Sequence, residues 1–307
     1  MSLFKSIWDD LQYSLRTGNM VTKIVVINFA VFVTMKLIYL ALSIFTMGKA
    51  DELYNDLLVS LCLQADLGTL VWRLWGIGTH MFLHDSFWHL FNNMIILFLF
   101  GRIVSDLIGE RRILPIFLLG GLAGALVYVI TAQFFLSVGS YALGASAAVM
   151  ALGGAALILA PDYRVQLLFL GSTKVKYVVL LLVLLDIVAI AGTYPAGGHA
   201  AHIAGFGMGC FFVYQLRDGR DLAVPINNFF AWFLGLFSAR PGPKFPRPKK
   251  APPMRATFGG AKGNSSSDSS DDSFQGKLDA ILDKIKAQGY ESLSQEEKDF
   301  LYEASQK

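Results

Sequence analysis

Ser146 and His202 supply the two side chains that nucleophilic hydrolysis needs, a hydroxyl and an imidazole able to take its proton. Each opens an uncharged, largely apolar run of fifteen residues, 146–160 and 202–216, ended by Pro161–Asp162 and Arg217–Asp218 respectively. Read as helices, both runs lift their first side chain roughly 22 Å above the helix end. In a hydrocarbon slab of about 30 Å, that sets a nucleophile and a base at one depth, below the outer surface. Polar groups at a common level inside a membrane point to function.

Gly144 just ahead of Ser146 permits a sharp entry into the helix, whose first N–H groups then have no intrahelical partner. Those N–H groups and the positive helix end favour an oxyanion beside Ser146. The plainer alternative makes Ser146 a helix cap or a small packing residue. His202, Gly205 and Gly209 share one helix face, and the two glycines form a small-residue ridge. Ala147, Ala151 and Ala155 offer a matching strip, and contact along it would bring His202 to Ser146. His199, one turn higher and off the ridge, is the competing base.

His84, His89 and Asn93 belong to another apolar run, with His89 near the level of Ser146 and Asn93 one turn deeper on the same face. Both His89 and Asn93 can donate hydrogen bonds to negative charge on a carbonyl oxygen. A rival reading gathers His80, His84, His89 and His202 around zinc or iron. No acid accompanies these histidines in their spans except Asp85, and the spacing of His84 and His89 suits one helix face poorly.

The elements that must position these groups are membrane helices. The chain is 54% hydrophobic and only 16% charged, with a mean hydropathy of +0.50. Hydropathy gives six spans, about 22–46, 84–101, 113–136, 146–161, 174–193 and 199–216. The basic residues flank them on one side: Lys5, Arg16 and Lys23, then Arg102, Arg111 and Arg112, then Arg164, Lys174 and Lys176, then Arg217 and Arg220. That asymmetry places both termini in the cytoplasm. With no organelle-targeting features, the expected location is a bacterial cytoplasmic membrane.

The first external loop, about 47–83, mixes Trp72, Trp75, Met81 and Phe82 with basic residues, as suits a segment lying in the membrane interface. The expected organisation is a cytoplasmic segment 1–21, a six-span domain 22–217 and an interfacial segment 218–238. A disordered linker 239–274 and a cytoplasmic two-helix module 275–307 follow. In that module Leu278, Ile281, Leu282 and Ile285 repeat at helical spacing, and Ser294 with Glu297 forms a capping box. The net charge of +3 averages an apolar body over mixed tails and implies no nucleic acid. Cys62 and Cys210 imply neither a disulfide framework nor a thiolate metal site.

Across residues 60–217 the sequence resembles the rhomboid intramembrane serine proteases. The matching elements occur in family order: Trp72-Arg73, then His84-x4-His89-x3-Asn93, Gly144-x-Ser146, and Ala201-His202-x2-Gly205-x3-Gly209. The resemblance implies an all-α membrane protein, a six-transmembrane-helix rhomboid-like bundle with a first loop lying in the membrane and a short soluble helical tail. It implies a catalytic Ser146–His202 dyad without an acid and an oxyanion site from His89, Asn93 and the Ser146 N–H. It also implies that the loop 193–201 caps the site, that transmembrane proteins in the lipid bilayer are the substrates, and that no cofactor or metal is needed. Two positions depart from the family pattern: Ala147 replaces a common glycine, and Met150 an aromatic that packs on the histidine. The alternatives are a non-catalytic membrane-protein binder or chaperone on the same fold, and a metal-dependent membrane enzyme. The C-terminal helices lie outside the resemblance and would serve a cytoplasmic partner.

Overall fold

The computed structural model describes residues 18–135, 138–167, 171–192, 196–237, 277–278, 280–281, 283–285 and 292–305. Residues 1–17, the linker 239–274 and residues 193–195 of the capping loop lie outside the described residues. The chain forms two units, Met1–Gly242 and Pro243–Lys307.

The first unit is helical, with one long-range two-residue pairing and one small hairpin. Helix α1 (Met20–Phe45) starts at Asn19, whose side chain accepts the Thr22 N–H at 2.9 Å. The first loop follows as α2 (Ala50–Leu61), β1 (Leu63–Gln64), α3 (Leu67–Trp72), α4 (Gly76–Thr79) and a 3-10 turn, His80–Phe82. Then come α5 (Phe87–Ile108), α6 (Ile113–Phe134), β2 (Tyr141–Ala142) and α7 (Ser146–Leu159). The hairpin β3 (Arg164–Leu167) and β4 (Gly171–Lys174) leads to α8 (Val175–Gly192), α9 (Gly197–Arg217) and α10 (Ala223–Phe237).

Helices α1, α5, α6, α7, α8 and α9 fall on the six hydropathy segments. Three described helical stretches are long and apolar enough to cross a membrane: Met20–Phe45, Phe87–Ile108 and Glu110–Phe134. Leu40 on α1, Leu126 on α6 and Leu185 on α8 stand exposed, the outward apolar surface of a membrane protein.

Helix α7 is the centre of the bundle. It is apolar all round, and every residue from Ala147 to Ala156 is buried, as a helix enclosed by others must be. Phe100 of α5, Phe117 of α6, Leu152 of α7 and Phe212 of α9 meet in the main core. At 14 residues α7 spans roughly 21 Å, less than a bilayer core. Backbone ahead of it must therefore be satisfied by protein rather than lipid. It is: β2 pairs antiparallel with β1, Leu63 opposite Ala142, and the Gly144 N–H donates to the His80 carbonyl at 2.8 Å. The segment between α1 and α5 thus reaches in and holds the chain that enters α7.

Met81 differs from its interfacial expectation. Trp72 and Trp75 are exposed, but Met81 is buried and packs against Gly121 of α6. A Cβ at Gly121 would collide with the Met81 sulfur, so the glycine makes room for the side chain.

At the opposite end, Asp162 accepts from Lys176 at 2.8 Å and Lys174 at 2.9 Å, which locks the hairpin onto α8. Hydrogen bonds from those two ammonium groups hold the Asp162 carboxyl down at about 2. Arg217 donates to the Ile158 carbonyl at 2.6 Å, satisfying the last turn of α7. Arg112 pairs with Asp221 at 2.7 Å, and Asn227 of α10 donates to the Arg111 carbonyl at 3.0 Å.

In the second unit, α11 (Gln295–Ser305) begins with a reciprocal cap. The Glu297 N–H donates to Ser294 Oγ at 3.3 Å, and the Ser294 N–H to Glu297 Oε2 at 2.8 Å. Lys284, among the helical residues 283–285, donates to Glu297 at 2.8 Å. Leu282, part of the expected apolar stripe, lies outside the described residues.

Candidate active site

Two close-packed ridges bring α7 and α9 together. A Cβ at Gly205 would overlap the Ala147 carbonyl, and one at Gly209 the Ala151 carbonyl. Only glycine allows backbones this close. The contact places Ser146 Oγ 2.6 Å from His202 Nε2, at the start of α7 and in the second turn of α9. Ala145, the residue before the helix, makes no side-chain cap, so the N–H groups of the first turn point free of any cap towards the serine end.

His202 has a partner that the sequence reading overlooked. Its Nδ1 lies 2.8 Å from Asp186 Oδ1, on α8, and His199 Nδ1 lies 2.7 Å from the same oxygen. The resemblance implied a dyad without an acid; here a carboxylate stands beside the histidine, from Asp186 in the fifth hydropathy span. Asp186 is buried, its side chain only 10% exposed. With the Nδ1–H of His202 donating to that carboxylate, the Nε2 lone pair is left to accept the Ser146 hydroxyl proton. His199, the competing base, faces Asp186 rather than Ser146.

Among the described residues, the donor atoms that converge closely enough for a metal are those of Asp186, His199 and His202, all within 4.8 Å, and not those of His80, His84, His89 and His202 together. Their separations of 2.7 and 2.8 Å are hydrogen-bond lengths. Ligands around a tetrahedral zinc, with bonds of about 2.0–2.1 Å, would stand roughly 3.3 Å apart. The geometry fits a hydrogen-bonded group better than a metal centre.

Gly144, with φ at +119°, turns the chain into α7. A Cβ there would lie 2.8 Å from His89 Nε2 and 3.8 Å from Ser146 Oγ, so His89 looks across the glycine at the serine. His89 Nδ1 is 2.8 Å from Asp85 Oδ1. As a neutral ring with its proton on Nδ1, His89 would present only a lone pair at Nε2; as an imidazolium paired with Asp85 it presents an N–H. Asn93 is buried beneath, donating to the His89 carbonyl at 2.9 Å. His80 and His84 are buried: His80 Nδ1 lies 3.0 Å from the Gly76 carbonyl, and His84 lies with Nε2 3.5 Å from the Ala145 nitrogen and its ring edge-on to His89 at 5.0 Å.

A cavity of about 260 Å³ opens onto this group, lined by Ser146, His202, His89, His199, His80 and Tyr128 among others. His84 and Asn93 are not among its lining residues. Of the two departures in α7, Ala147 is accommodated by Gly124 of α6, where a Cβ would come to 2.5 Å from the Ala147 methyl. Met150 is buried in the interior.

A serine and a histidine thus meet at hydrogen-bond distance beside a cavity in a helical membrane bundle. Residues 71–218 match the Rhomboid domain. The chain carries the domain of the rhomboid family, a family of intramembrane proteases. Residues 273–307 match a separate family of unknown function (DUF6576), which covers the C-terminal helical module. No curated protein matches the chain.

Proposed function

We propose that the protein is an intramembrane serine endopeptidase that cleaves transmembrane segments of membrane proteins near their outer ends. The observation that carries this reading is the 2.6 Å contact between Ser146 Oγ and His202 Nε2, beside a cavity that His80, His89 and His199 also line. The hydroxyl is within reach of a base whose other nitrogen is already engaged.

Ser146 Oγ attacks the scissile carbonyl carbon while its proton passes to His202 Nε2. The resulting oxyanion is held by the Ser146 N–H and by His89 in its doubly protonated form, with Asn93 supporting the His89 turn. As the C–N bond breaks, His202 returns the proton to the leaving amine and an ester on Ser146 remains. Water entering the cavity attacks that ester, giving its proton to His202; the ester C–O bond breaks, and the proton returns to Ser146 as the new carboxylate product leaves. No step needs a cofactor.

A transmembrane helix hides its carbonyls in its own hydrogen bonds, so the substrate must unwind locally at the cleavage point. Glycine and other helix-weakening residues there lower that cost. The distribution of basic residues supports six spans with both termini cytoplasmic and the cavity on the outer side, in the cytoplasmic membrane of a bacterium. The segment 218–238 lies along the interface, and the 275–307 module meets a cytoplasmic partner.

The test is cleavage of a model single-span substrate by purified protein in detergent or vesicles. Wild type cleaves, while Ser146→Ala and His202→Ala do not. Cleavage that survives Ser146→Ala removes the assignment.

A further inference from the structure

Asp186 is the sole acid of α8, set in a run of leucines, valines and isoleucines. Among the described residues its carboxylate has two side-chain hydrogen-bond partners, the Nδ1 atoms of His202 and His199, both on Oδ1. A carboxylate buried at membrane depth is costly unless donors satisfy it. These two imidazoles are the donors. His202 then faces Asp186 with one nitrogen and Ser146 with the other, so the three residues form one hydrogen-bonded chain from α8 through α9 to α7.

We propose that Asp186 is a positioning residue that completes a Ser146–His202–Asp186 triad, with His199 as the second anchor of its carboxylate. This rests on the protease reading above. The carboxylate accepts the Nδ1–H of His202, which fixes the tautomer whose Nε2 can take the serine proton. It also stabilises the imidazolium that forms once that proton has moved. His199, less buried than His202, holds the carboxylate from the cavity side and keeps it from turning out of line.

Asp186→Asn removes the charge and lets the amide donate to Nδ1, which favours the opposite tautomer, with Nε2 protonated and unable to act as a base. The expected result is a kcat lower by roughly 10²-fold with KM unchanged, partial recovery in Asp186→Glu, and thermal stability close to wild type. A residue that only supported the fold would lower stability and would not be rescued by restoring the carboxylate. Proton NMR of the wild-type protein gives a second readout. His202, assigned by loss of its signal in His202→Gln, should show a strongly downfield Nδ1 proton that disappears in Asp186→Asn.

Full kcat in Asp186→Asn, or a wild-type His202 protonated at Nε2 rather than Nδ1, overturns the proposal. If Asp186→Asn does not fold, the wild-type resonance alone decides. A Ser146→Ala protein that still cleaves would overturn the protease reading itself; an inactive Ser146→Ala beside a fully active Asp186→Asn overturns this inference only.

Discussion

Gly205 of α9 abuts the carbonyl of Ala147 in α7 so closely that no side chain fits between them. This contact sets the distance between Ser146, one residue before Ala147, and His202, one turn before Gly205. Gly205→Ala should therefore push the helices apart, costing about 1–3 kcal/mol of stability and lowering cleavage more than substrate binding. Gly207, on the same helix, has open space around it, so Gly207→Ala should stay within about 0.5 kcal/mol of wild type. Thermal unfolding with parallel cleavage assays checks both. Equal effects of the two substitutions would deny the ridge its role.

Gly144 combines a positive φ with a close approach to His89. Alanine there would carry backbone strain of roughly 1–3 kcal/mol and would press against His89 Nε2. Gly144→Ala is expected to lose most activity while remaining folded, as judged by cleavage rate against melting temperature. Unchanged activity would mean that the turn into α7 does not shape the site.

His89 and Asn93 should separate in their effects. His89→Ala removes a group that faces Ser146 and should lower kcat by about 10²–10³. Asn93 acts from beneath through the His89 carbonyl, so Asn93→Ala should cost roughly tenfold, the value of a lost positioning bond of about 1.4 kcal/mol. Single-turnover cleavage measures the order. A larger loss from Asn93 would place it, rather than His89, on the developing oxyanion.

Asp162 gives a pH-dependent contact just beyond the C-terminal end of α7. Its carboxyl is held at about 2, below the ordinary 3.8, by Lys176 and Lys174. The sign follows from the depressed value: the pairing is fully present above the ordinary carboxylate range and is lost as pH falls through about 2. A carboxyl ¹³C titration of the hairpin should show Asp162 still ionised near pH 3. A midpoint at 3.8 would mean that the lysines are not engaged.

Much of this architecture was legible in the chain, for physical reasons that differ from residue to residue. Ser146 and His202 stood out because each opens an apolar run of equal length, and depth in a helix follows directly from residue count. The glycine ridge was legible because close backbone approach demands small residues at fixed spacing. Asp186 carried a signal too, a lone carboxylate inside an apolar span, but pairing it with His202 required knowing that α8 lies beside α9. Met81 looked interfacial because its neighbours are tryptophans; its burial depends on a vacancy at Gly121, forty residues away in the chain. The β1–β2 pairing is only two residues long on each side, too short for periodicity to reveal. Asn93 was expected on the helix face of His89; one hydrogen bond of its amide goes to the His89 carbonyl, a choice of partner that spacing does not encode.

The central claim is that the Ser146 hydroxyl is activated by His202 within the membrane domain. Its most direct measurement is covalent capture of the purified wild-type protein by a fluorophosphonate, with the adduct located by peptide mass spectrometry. The account predicts one adduct, on the peptide containing Ser146, absent in Ser146→Ala and strongly reduced in His202→Ala. An unlabelled wild type, or an adduct that persists in Ser146→Ala, would contradict it.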